Sequence, residues 1–272
     1  MASFPYKKVL LVGATSGIGW EFARQFIQKG VHVIAVGRRQ DRLDSLIASA
    51  GSSMASGVVF DINNVDKVPS FAKSIIEQHP DLDCILMNAG IQFVMDFSKP
   101  HTVDMNKIQT ELTTNYTSMV AITHAFTSFF QARSIENAVA FIYTTTSLLS
   151  MPYPMVLNYC ASKAALHTFI LCIREQYRQR PEHKISVVEL VAPLVQTELH
   201  DGQPGWGPDF NPGMTTKDFV DEAMTGFATK AETVAVGEAK AVYEEFEAEK
   251  SRRIGPDWAM RKKTMGKIHT FD

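Results

Sequence analysis

The chain has 272 residues, of which 45% are hydrophobic, and a formal net charge of −2 from 27 basic and 29 acidic side chains. This length and apolar content suit one globular domain with a sizeable core, so we expect a single domain over residues 1–272. The balanced charge gives no indication of a nucleic-acid partner or of binding to an anionic membrane surface.

Targeting and redox signals point to an ordinary soluble protein. The N-terminal apolar run is too short for a signal peptide, and no run approaches the ~18 apolar residues of a membrane span. The three cysteines, Cys84, Cys160 and Cys172, have no zinc-like spacing and lie in apolar elements. We therefore expect buried free thiols in a cytoplasmic protein that holds no metal.

The first element is the segment VLLVGATSGIG over residues 9–19. An apolar strand over 9–12 stops at Gly13, two more glycines follow at Gly17 and Gly19, and a helix-patterned segment begins at once. A helix N-terminus attracts a pyrophosphate, and glycines let the backbone approach it. The pattern predicts a cofactor loop that also includes Thr15, Ser16 and Ile18. The alternative is an ordinary turn between a core strand and a core helix, because three spaced glycines also occur by chance.

The second predicted strand, over 31–36, ends at Gly37 and is followed by Arg38 and Arg39. A dinucleotide held by the glycine loop would place its adenine ribose near this point, where NAD-binding proteins usually have a carboxylate. Guanidinium groups instead bind phosphate through paired, charge-assisted hydrogen bonds. The sequence therefore favours NADP(H); the alternative is that both arginines lie in a solvated loop.

The next two strands also end in candidate cofactor contacts. A helix over 41–50 leads to a strand over 58–60, at whose end Asp61 and Ile62 could meet an adenine edge. A helix over 63–78 leads to a strand over 84–87, which Asn88-Ala89-Gly90 closes. Small residues there would let the backbone pass close to a ribose.

A long helix is predicted over 104–133, and Asn115 lies inside it. Asparagine is a poor residue for a helix interior, so it needs a structural hydrogen bond or a role at the site. A strand over 138–143 then leads to four hydroxyl side chains, those of Thr144, Thr145, Thr146 and Ser147. The helix that follows, over 157–178, carries Tyr159 and Lys163.

The C-terminal third holds a sixth strand over 185–191, which ends at Pro193, and a seventh over 233–236. Between them, a Gly/Pro-rich loop over about 200–216 contains Trp206 and Phe210 and is typical of a substrate-binding loop. Helices are predicted over 217–227 and 238–250, and a polar, solvated tail over about 251–272. This alternation predicts an α/β fold: a doubly wound parallel sheet of about seven strands with helices on both faces and ligands at the carboxyl ends of the strands.

The chemistry of the predicted site centres on Tyr159 and Lys163, which are four residues apart and so share one helix face. A phenol has an ordinary pKa near 10, and a nearby ammonium lowers that pKa, which would make Tyr159 a usable general acid or base. Such a pair alone is common in cores and on surfaces. Its position after the fifth strand, beside the hydroxyl cluster, favours a catalytic role.

Four motifs together carry a resemblance: VGATSGIG, Asn88-Ala89-Gly90, Asn115 and Tyr159-Cys160-Ala161-Ser162-Lys163, in this order and at these separations. Over about residues 7–199 the chain resembles the short-chain dehydrogenase/reductase family. The resemblance implies a Rossmann-type sheet that binds NAD(P)(H) and moves a hydride between nicotinamide C4 and a carbonyl or alcohol carbon. By the family's pattern, Tyr159 protonates the carbonyl oxygen, Lys163 binds the nicotinamide ribose and tunes Tyr159, and Asn115 holds a water in a proton relay.

The chain departs from the family's pattern at the substrate-orienting serine, usually thirteen residues before the tyrosine. That register gives Thr146, with Ser147 next, and either hydroxyl is a candidate; gapless spacing favours Thr146. Leu194 stands where glycine often follows Pro193, and Val12 where a threonine often precedes the first glycine. Thr197 still matches the threonine that contacts the nicotinamide amide, and Val195 lies on the same cofactor-binding segment.

The resulting hypothesis is an NADP(H)-dependent carbonyl reductase or alcohol dehydrogenase. Alternatives are an NADP(H)-binding sensor without turnover, which the threonine at 146 would suit, and a dehydratase or cyclase that keeps the cofactor as a structural piece. Met151, Tyr153 and Met155 suggest a small, apolar substrate. Assembly as a homodimer or homotetramer is implied by the resemblance alone.

Overall fold

The computed structural model describes residues 4–51, 53–201, 203 and 212–265. Seven strands form one parallel sheet in the order β3-β2-β1-β4-β5-β6-β7. The strands are β1 (Lys8–Val12), β2 (His32–Gly37), β3 (Ala55–Val59), β4 (Cys84–Met87), β5 (Val139–Thr146), β6 (Ile185–Ala192) and β7 (Thr233–Ala235).

Helices cover both faces of the sheet, which confirms the predicted fold class. Those in the described residues are α1 (Gly17–Gln28), α2 (Gln40–Ala50), α3 (Val68–Gln78), α4 (Met105–Leu112), α5 (Ser118–Ser134), α6 (Leu157–Arg178), α7 (Thr216–Ala228), α8 (Ala239–Phe246) and α9 (Ala248–Met265).

Two hydrophobic cores lie on opposite faces of the sheet. Because successive strand residues point to opposite faces, Val9 and Leu11 of β1 enter the core with α1, α2 and α7, whereas Leu10 and Val12 enter the core with α3, α5 and α6. All four side chains are almost completely buried. The central strand is therefore apolar on both faces, as a parallel sheet requires.

The order of the strands fixes where a ligand can bind. From β1 the chain moves outward to β2 and β3, then returns to the other side of β1 for β4 and the remaining strands. At such a reversal the loops after β1 and β4 diverge and leave a crevice at the carboxyl edge of the sheet. The glycine loop follows β1, and Asn88 follows β4.

The predicted helix over 104–133 and the predicted strand over 138–143 need correction. α4 and α5 are joined by a π-helical turn over Thr113–Thr117 that contains Asn115. β5 runs on to Thr146, because Thr144 to Thr146 pair with Leu190 to Ala192 of β6. Three β-branched threonines suit this extension.

The C-terminal region also differs from the sequence prediction. The helix breaks at Glu247, between α8 and α9, and α9 continues to Met265. Ile254 and Gly255 are partly buried, and a Cβ atom on Gly255 would lie 3.2 Å from the Glu175 carboxylate of α6. Most of the predicted solvated tail is therefore a helix packed on α6. Residues 266–272 lie outside the described part of the chain.

Helix α6 is the longest core helix. The segment over 154–178 has the length and hydropathy of a membrane span, contrary to the sequence expectation, but 56% of its most apolar stretch is buried inside the protein. A helix in the core of a globular protein can have the same length and hydropathy. Here α6 packs on β5 and β6 through Leu166, Ile170 and Ile173. Cys172 lies on its outer face and is exposed, whereas Cys84 and Cys160 are buried as expected.

Candidate active site

A cleft of about 1010 Å³ opens at the carboxyl edge of the sheet, at the reversal between β1 and β4. Nearly all of the residues predicted from the sequence line it. They are Gly13, Thr15, Ser16, Gly17, Ile18, Arg38, Arg39, Asp61, Ile62, Asn88, Ala89, Gly90, Thr146, Ser147, Tyr159, Lys163, Pro193, Val195 and Thr197. Gly19 and Asn115 lie behind the wall of the cleft.

The glycine loop has a backbone that other residues would not adopt. Gly13 has φ +88° and Gly17 has φ +50°, and a Cβ atom on Gly13 would lie 2.7 Å from the backbone of Ala89. A Cβ atom on Gly19 would lie 1.9 Å from the Gly13 carbonyl oxygen. Gly19 therefore lets α1 pack on the loop, and the Ser16 side chain makes no capping hydrogen bond to the first turn of α1.

The loop after β4 is tied to the loop after β1. Asn88 donates from Nδ2 to the Gly13 carbonyl oxygen at 3.3 Å and accepts at Oδ1 from the Thr144 hydroxyl at 3.3 Å. The backbone N–H groups of Asn88 and Ala89 both donate to the carbonyl of Val12. Asn88 thus fixes the floor of the cleft between β1 and β5.

The arginines after β2 lie at the outer end of the cleft, where Arg39 is already paired. Its guanidinium donates to the backbone carbonyl oxygen of Thr15 at 3.1 Å and forms an ion pair with Glu198, with Nη1 2.8 Å from Oε2. Arg42 reaches the same carboxylate at 3.7 Å. Glu198 was not predicted from the sequence, because nothing local marks a partner 159 residues away.

At the end of β3, Asp61 caps its own turn by accepting from the backbone N–H of Asn63 at 3.0 Å. The backbone carbonyl of Ile62 accepts from the Ser118 hydroxyl at 2.7 Å. These bonds fix the third-strand edge of the cleft.

Lys163 is almost completely buried and donates from Nζ to the Thr144 carbonyl oxygen at 2.8 Å. Its Nζ lies 5.8 Å from the centre of the Tyr159 ring. Burial lowers the pKa of Lys163 to about 8. A Cβ atom on Gly90 would lie 3.6 Å from this ammonium, so the glycine leaves room for the lysine beside the cleft.

Tyr159 is also buried, and burial raises its pKa above the ordinary value. The charges of Cys160 and Glu111 act in the same direction, and a hydrogen bond with the Thr146 side chain acts against it. The expectation that Lys163 lowers this pKa is not met here, because removal from water outweighs every nearby favourable interaction. Tyr159 is therefore held as a neutral phenol.

Of the two candidate hydroxyl partners, Thr146 is the one whose side chain lowers the pKa of Tyr159, against the larger effect of burial. Thr146 ends β5 and caps the short helical turn over Ser147–Leu149, where its Oγ1 accepts from the Leu148 N–H at 3.4 Å. Ser147 lies on that turn and lines the cleft. Both hydroxyls therefore line the cleft with Tyr159, and Thr146 is the one that acts on the phenol.

Asn115 explains the π-helical turn in which it lies. Its side-chain amide forms hydrogen bonds with both backbone polar groups of Ile91: Oδ1 accepts from the N–H at 3.0 Å, and Nδ2 donates to the carbonyl at 2.9 Å. Nδ2 also donates to the Ser162 hydroxyl at 3.0 Å. Single π-turns inside helices are frequent at functional sites, and this one ties the loop after β4 to α6.

One turn before Asn115, Glu111 makes a similar set of hydrogen bonds, which the sequence did not predict. Its carboxylate accepts from the Phe93 N–H at 2.8 Å and from Asn158 Nδ2 at 2.6 Å, and it is fully buried. Burial raises the pKa of Glu111. The spacing of four residues from Asn115 is the only sequence signal, and a helical glutamate is usually exposed.

The segment after β6 crosses over the glycine loop. A Cβ atom on Gly17 would lie 3.0 Å from the Thr197 methyl group, and Thr197 Oγ1 accepts from the Leu199 N–H at 3.3 Å. Val195 forms an isolated parallel bridge with Met214, which closes the base of the predicted substrate loop. Trp206 and Phe210 lie outside the described residues.

The sequence is similar to those of known oxidoreductases. The sequence model of the family described as short chain dehydrogenase matches residues 7–206. The uncharacterized oxidoreductase DltE of Bacillus subtilis is 29% identical over 194 residues, which cover 71% of this chain and 73% of DltE. The 11-beta-hydroxysteroid dehydrogenase-like protein 3 of Arabidopsis thaliana is 32% identical over 189 residues, which cover 67% of this chain but only 57% of that protein.

Solved structures show the same fold. The closed form of a serine dehydrogenase complexed with NADP+ superposes with a TM-score of 0.71 at 24% identity, covering 84% of this chain and 94% of that one. A short-chain dehydrogenase/reductase from Burkholderia phymatum in complex with NAD superposes with a TM-score of 0.76 at 15% identity, covering 96% and 97%.

Proposed function

Because the chain belongs to the short-chain dehydrogenase/reductase family, which confirms the resemblance seen in the sequence, we propose that it is an NADP(H)-dependent reductase of a small, largely apolar carbonyl compound. The observation that carries this proposal is the buried group of Tyr159, Lys163 and Thr146 on the wall of the cleft. A phenol, an ammonium and a hydroxyl placed together can bind a carbonyl oxygen and protonate it.

The cleft fits a dinucleotide. A Cβ atom on Gly13 or Gly17 would crowd the residues packed against the glycine loop. The first turn of α1 has no side-chain cap, so its backbone N–H groups can bind a pyrophosphate. Asn88 to Gly90, Lys163 and Thr197 line the part of the cleft that would hold the nicotinamide ribose and ring. When bound, the cofactor supplies the hydride.

The residues of the chain supply the proton. Tyr159 is a phenol with a raised pKa, and a neutral phenol is the form that donates a proton to a carbonyl oxygen. Thr146, whose side chain lowers the pKa of Tyr159, would orient the same oxygen. Lys163, tied to the Thr144 carbonyl, places a cation next to the phenolate that is left after donation, which supports the reductive direction.

A preference for NADP(H) rests on the outer end of the cleft. Gly37 stands where a carboxylate would accept from a ribose hydroxyl, and Arg38, Arg39 and Arg42 gather there. Arginine binds a phosphate through a planar pair of charge-assisted hydrogen bonds, whereas an uncharged ribose hydroxyl has neither the negative charge nor the paired acceptor oxygens. The structural neighbours include complexes with NADP+ and with NAD, so the local charge supports this proposal more than the comparisons do.

The preference for an apolar substrate rests on the residues around Tyr159. Val156 and Cys160 form a small apolar cluster with it, and Val94 and Leu148 pack against that cluster. Met151, Tyr153 and Met155 are exposed nearby at the rim. The relatives' names include a steroid and a serine dehydrogenase, which differ in polarity and do not decide between substrates.

The proposal is tested by following NADPH oxidation with the purified protein and a panel of aldehydes, aliphatic ketones, aromatic ketones and cyclic ketones. We expect turnover that is faster with apolar carbonyls than with charged ones and faster with NADPH than with NADH. Tight NADPH binding without turnover of any carbonyl class would contradict the proposal and favour a sensor.

A further inference from the structure

A buried charged cluster lies behind the active site, outside the cofactor cleft. His167 is one helical turn beyond Lys163 on α6, with Nδ1 2.9 and 3.0 Å from the two carboxylate oxygens of Glu189 on β6. Its Nε2 lies 3.0 Å from Oε2 of Glu247, at the break between α8 and α9. The side chains of His167, Glu189 and Glu247 are 2%, 0% and 9% exposed.

The arrangement uses both nitrogens of the imidazole ring. Each of them lies within hydrogen-bond distance of a carboxylate oxygen, so His167 bridges Glu189 on β6 to Glu247 at the break between α8 and α9. No group of three or more residues among the described part of the chain is arranged to hold a metal ion. The cluster is therefore a hydrogen-bonded bridge.

The two carboxylates accept hydrogen bonds from the two ends of one segment, residues 145–150. The Thr145 hydroxyl donates to Glu189 Oε1 at 2.8 Å, and the Ser150 hydroxyl donates to Glu247 Oε1 at 3.0 Å. The chain between Thr145 and Ser150 carries Thr146 and Ser147, the hydroxyls on the cleft wall. His167 thus closes a ring of hydrogen bonds around the segment that orients the substrate oxygen.

The ring also touches the support of Lys163. Thr144, whose carbonyl oxygen accepts from Lys163, precedes Thr145 on β5. A shift of Thr145 would therefore move the oxygen that holds the ammonium as well as the Thr146 hydroxyl beside Tyr159. Displacements of about 1 Å at positioning groups are enough to change rates substantially.

Other charged groups around the cluster do not replace the His167 bridge. Lys250 of α9 pairs with Glu247 from the solvent side. Arg174 of α6 interacts electrostatically with Glu189, but its hydrogen bonds go to the backbone carbonyls of Val187 and Glu232. Two buried carboxylates and one histidine are a costly way to hold a core together, since apolar packing of similar volume is often as stable. The cluster is better explained by the geometry that it imposes.

We propose that His167, held between Glu189 and Glu247, is a positioning residue that fixes the Thr145 to Ser150 segment and through it the active-site hydroxyl of Thr146. Glu247 lies beyond residues 7–206, which the family model matches, so this device depends on the chain's own C-terminal helices. The effect on turnover rests on the proposed function, whereas the effect on the segment does not.

The test compares Glu247→Leu with Glu247→Gln and with Glu249→Leu. The leucine variant breaks the bonds of Glu247 to Ser150, His167 and Lys250, whereas the glutamine variant can still bond to Ser150 and His167. Glu249 is the matched control, because it is 70% exposed and pairs only loosely with Arg252 in the same turn. Thr145→Val removes the hydrogen bond to Glu189 with little change in side-chain shape. It tests the same ring of hydrogen bonds if Glu247→Leu does not fold.

Two readouts separate positioning from general stability. Hydrogen exchange at the amides of Ser150 and Met151, which both bond to the Ser147 carbonyl, reports the segment without any substrate. We expect at least a 10-fold faster exchange there in Glu247→Leu and Thr145→Val. With a carbonyl that the parent reduces, we expect kcat to fall at least 10-fold and KM for NADPH to stay within threefold, with recovery to within threefold of parental kcat in Glu247→Gln.

The proposal is wrong if the folded Glu247→Leu or Thr145→Val protein melts at a lower temperature but keeps the parental exchange and kcat, as Glu249→Leu should. It is also wrong if Glu247→Gln is as impaired as Glu247→Leu. If the parent reduces no carbonyl, the proposed function fails, and the exchange measurement alone still decides whether the ring holds the segment.

Discussion

Arg39 and Glu198 form an ion pair across the outer end of the cofactor cleft, with Nη1 2.8 Å from Oε2. Their side chains are 41% and 42% exposed, so the pair contributes on the order of 0–1 kcal/mol to stability. The Glu198 carboxylate occupies donors that a phosphate would use. Glu198 is therefore a competitor for the anion that the arginine cluster is proposed to bind.

Replacing Glu198 by glutamine removes this competition and keeps the shape of the side chain. We expect Glu198→Gln to bind NADPH roughly 3- to 10-fold more tightly, the equivalent of about 1 kcal/mol, because Arg39 and Arg42 are then free of a carboxylate. Affinity for NADH should stay within twofold. Fluorescence titration measures both, and an equal shift for the two cofactors would contradict a role at the 2′-phosphate.

Arg38 lines the cleft beside Arg39 and is the second proposed phosphate ligand. We expect Arg38→Ala to weaken NADPH binding about 10-fold or more, because a hydrogen bond to a charged group contributes about 1.5–3 kcal/mol, and to leave NADH binding nearly unchanged. Arg252→Ala, on the surface of α9, is the control. If Arg38→Ala weakens both cofactors alike, the arginine is not a 2′-phosphate ligand.

Thr146 and Ser147 offer a direct comparison, since both hydroxyls line the cleft but only the Thr146 side chain acts on the pKa of Tyr159. We expect Thr146→Ala to lower kcat about 100-fold, within the range seen when one oxygen-binding donor is removed, and Ser147→Ala to lower it less than fivefold. Thr146→Ser should recover most of the activity. A severe loss in Ser147→Ala alone would reverse the assignment.

Lys163 gives a prediction about stability. Its pKa in the folded chain is about 8, below the ordinary value of 10.5, so the folded state disfavours the charged form. The unfolded chain then binds more protons between those values, and stability rises as pH increases from about 8 to 10.5. Below pH 8 the full cost of burying the ammonium, about 3 kcal/mol, is present.

We therefore expect Lys163→Met to raise the free energy of unfolding at pH 7 by about 1–2 kcal/mol, with the lost hydrogen bond to the Thr144 carbonyl offsetting part of the gain. The advantage should shrink toward pH 10, and turnover should be lost. Lys73→Met, at a side chain that is 78% exposed, is the control for denaturant unfolding at both pH values. A difference that does not depend on pH would contradict the low pKa of Lys163.

The family and the seven-stranded fold followed from local patterns. Apolar runs that end in glycine mark strands whose carboxyl ends meet at one edge, and this alone brought Gly13, Asn88 and Thr146 to one cleft. The Tyr159 and Lys163 pair could be recognised because a spacing of four is a helix property. Each of these signals lies within a few residues of the group that it predicts.

The features that the sequence did not predict all depend on distant partners. Asn115 distorts its helix because it binds Ile91, and Glu198 reaches Arg39 across the cleft. His167 joins β6 to the C-terminal helices through Glu189 and Glu247, which lie 22 and 80 residues away along the chain. The pKa of Tyr159 moved opposite to the expectation because burial depends on the whole fold, not on the neighbouring lysine.

The central claim is that Tyr159 transfers the proton in a reaction driven by NADPH, and one comparison tests it most directly. The parent and Tyr159→Phe are measured side by side for NADPH affinity and for kcat with the best carbonyl substrate. We expect the affinity of Tyr159→Phe to stay within threefold and its kcat to fall about 10²- to 10⁴-fold, the range for loss of a general acid. Turnover within threefold of the parent, with NADPH still bound, would contradict the account.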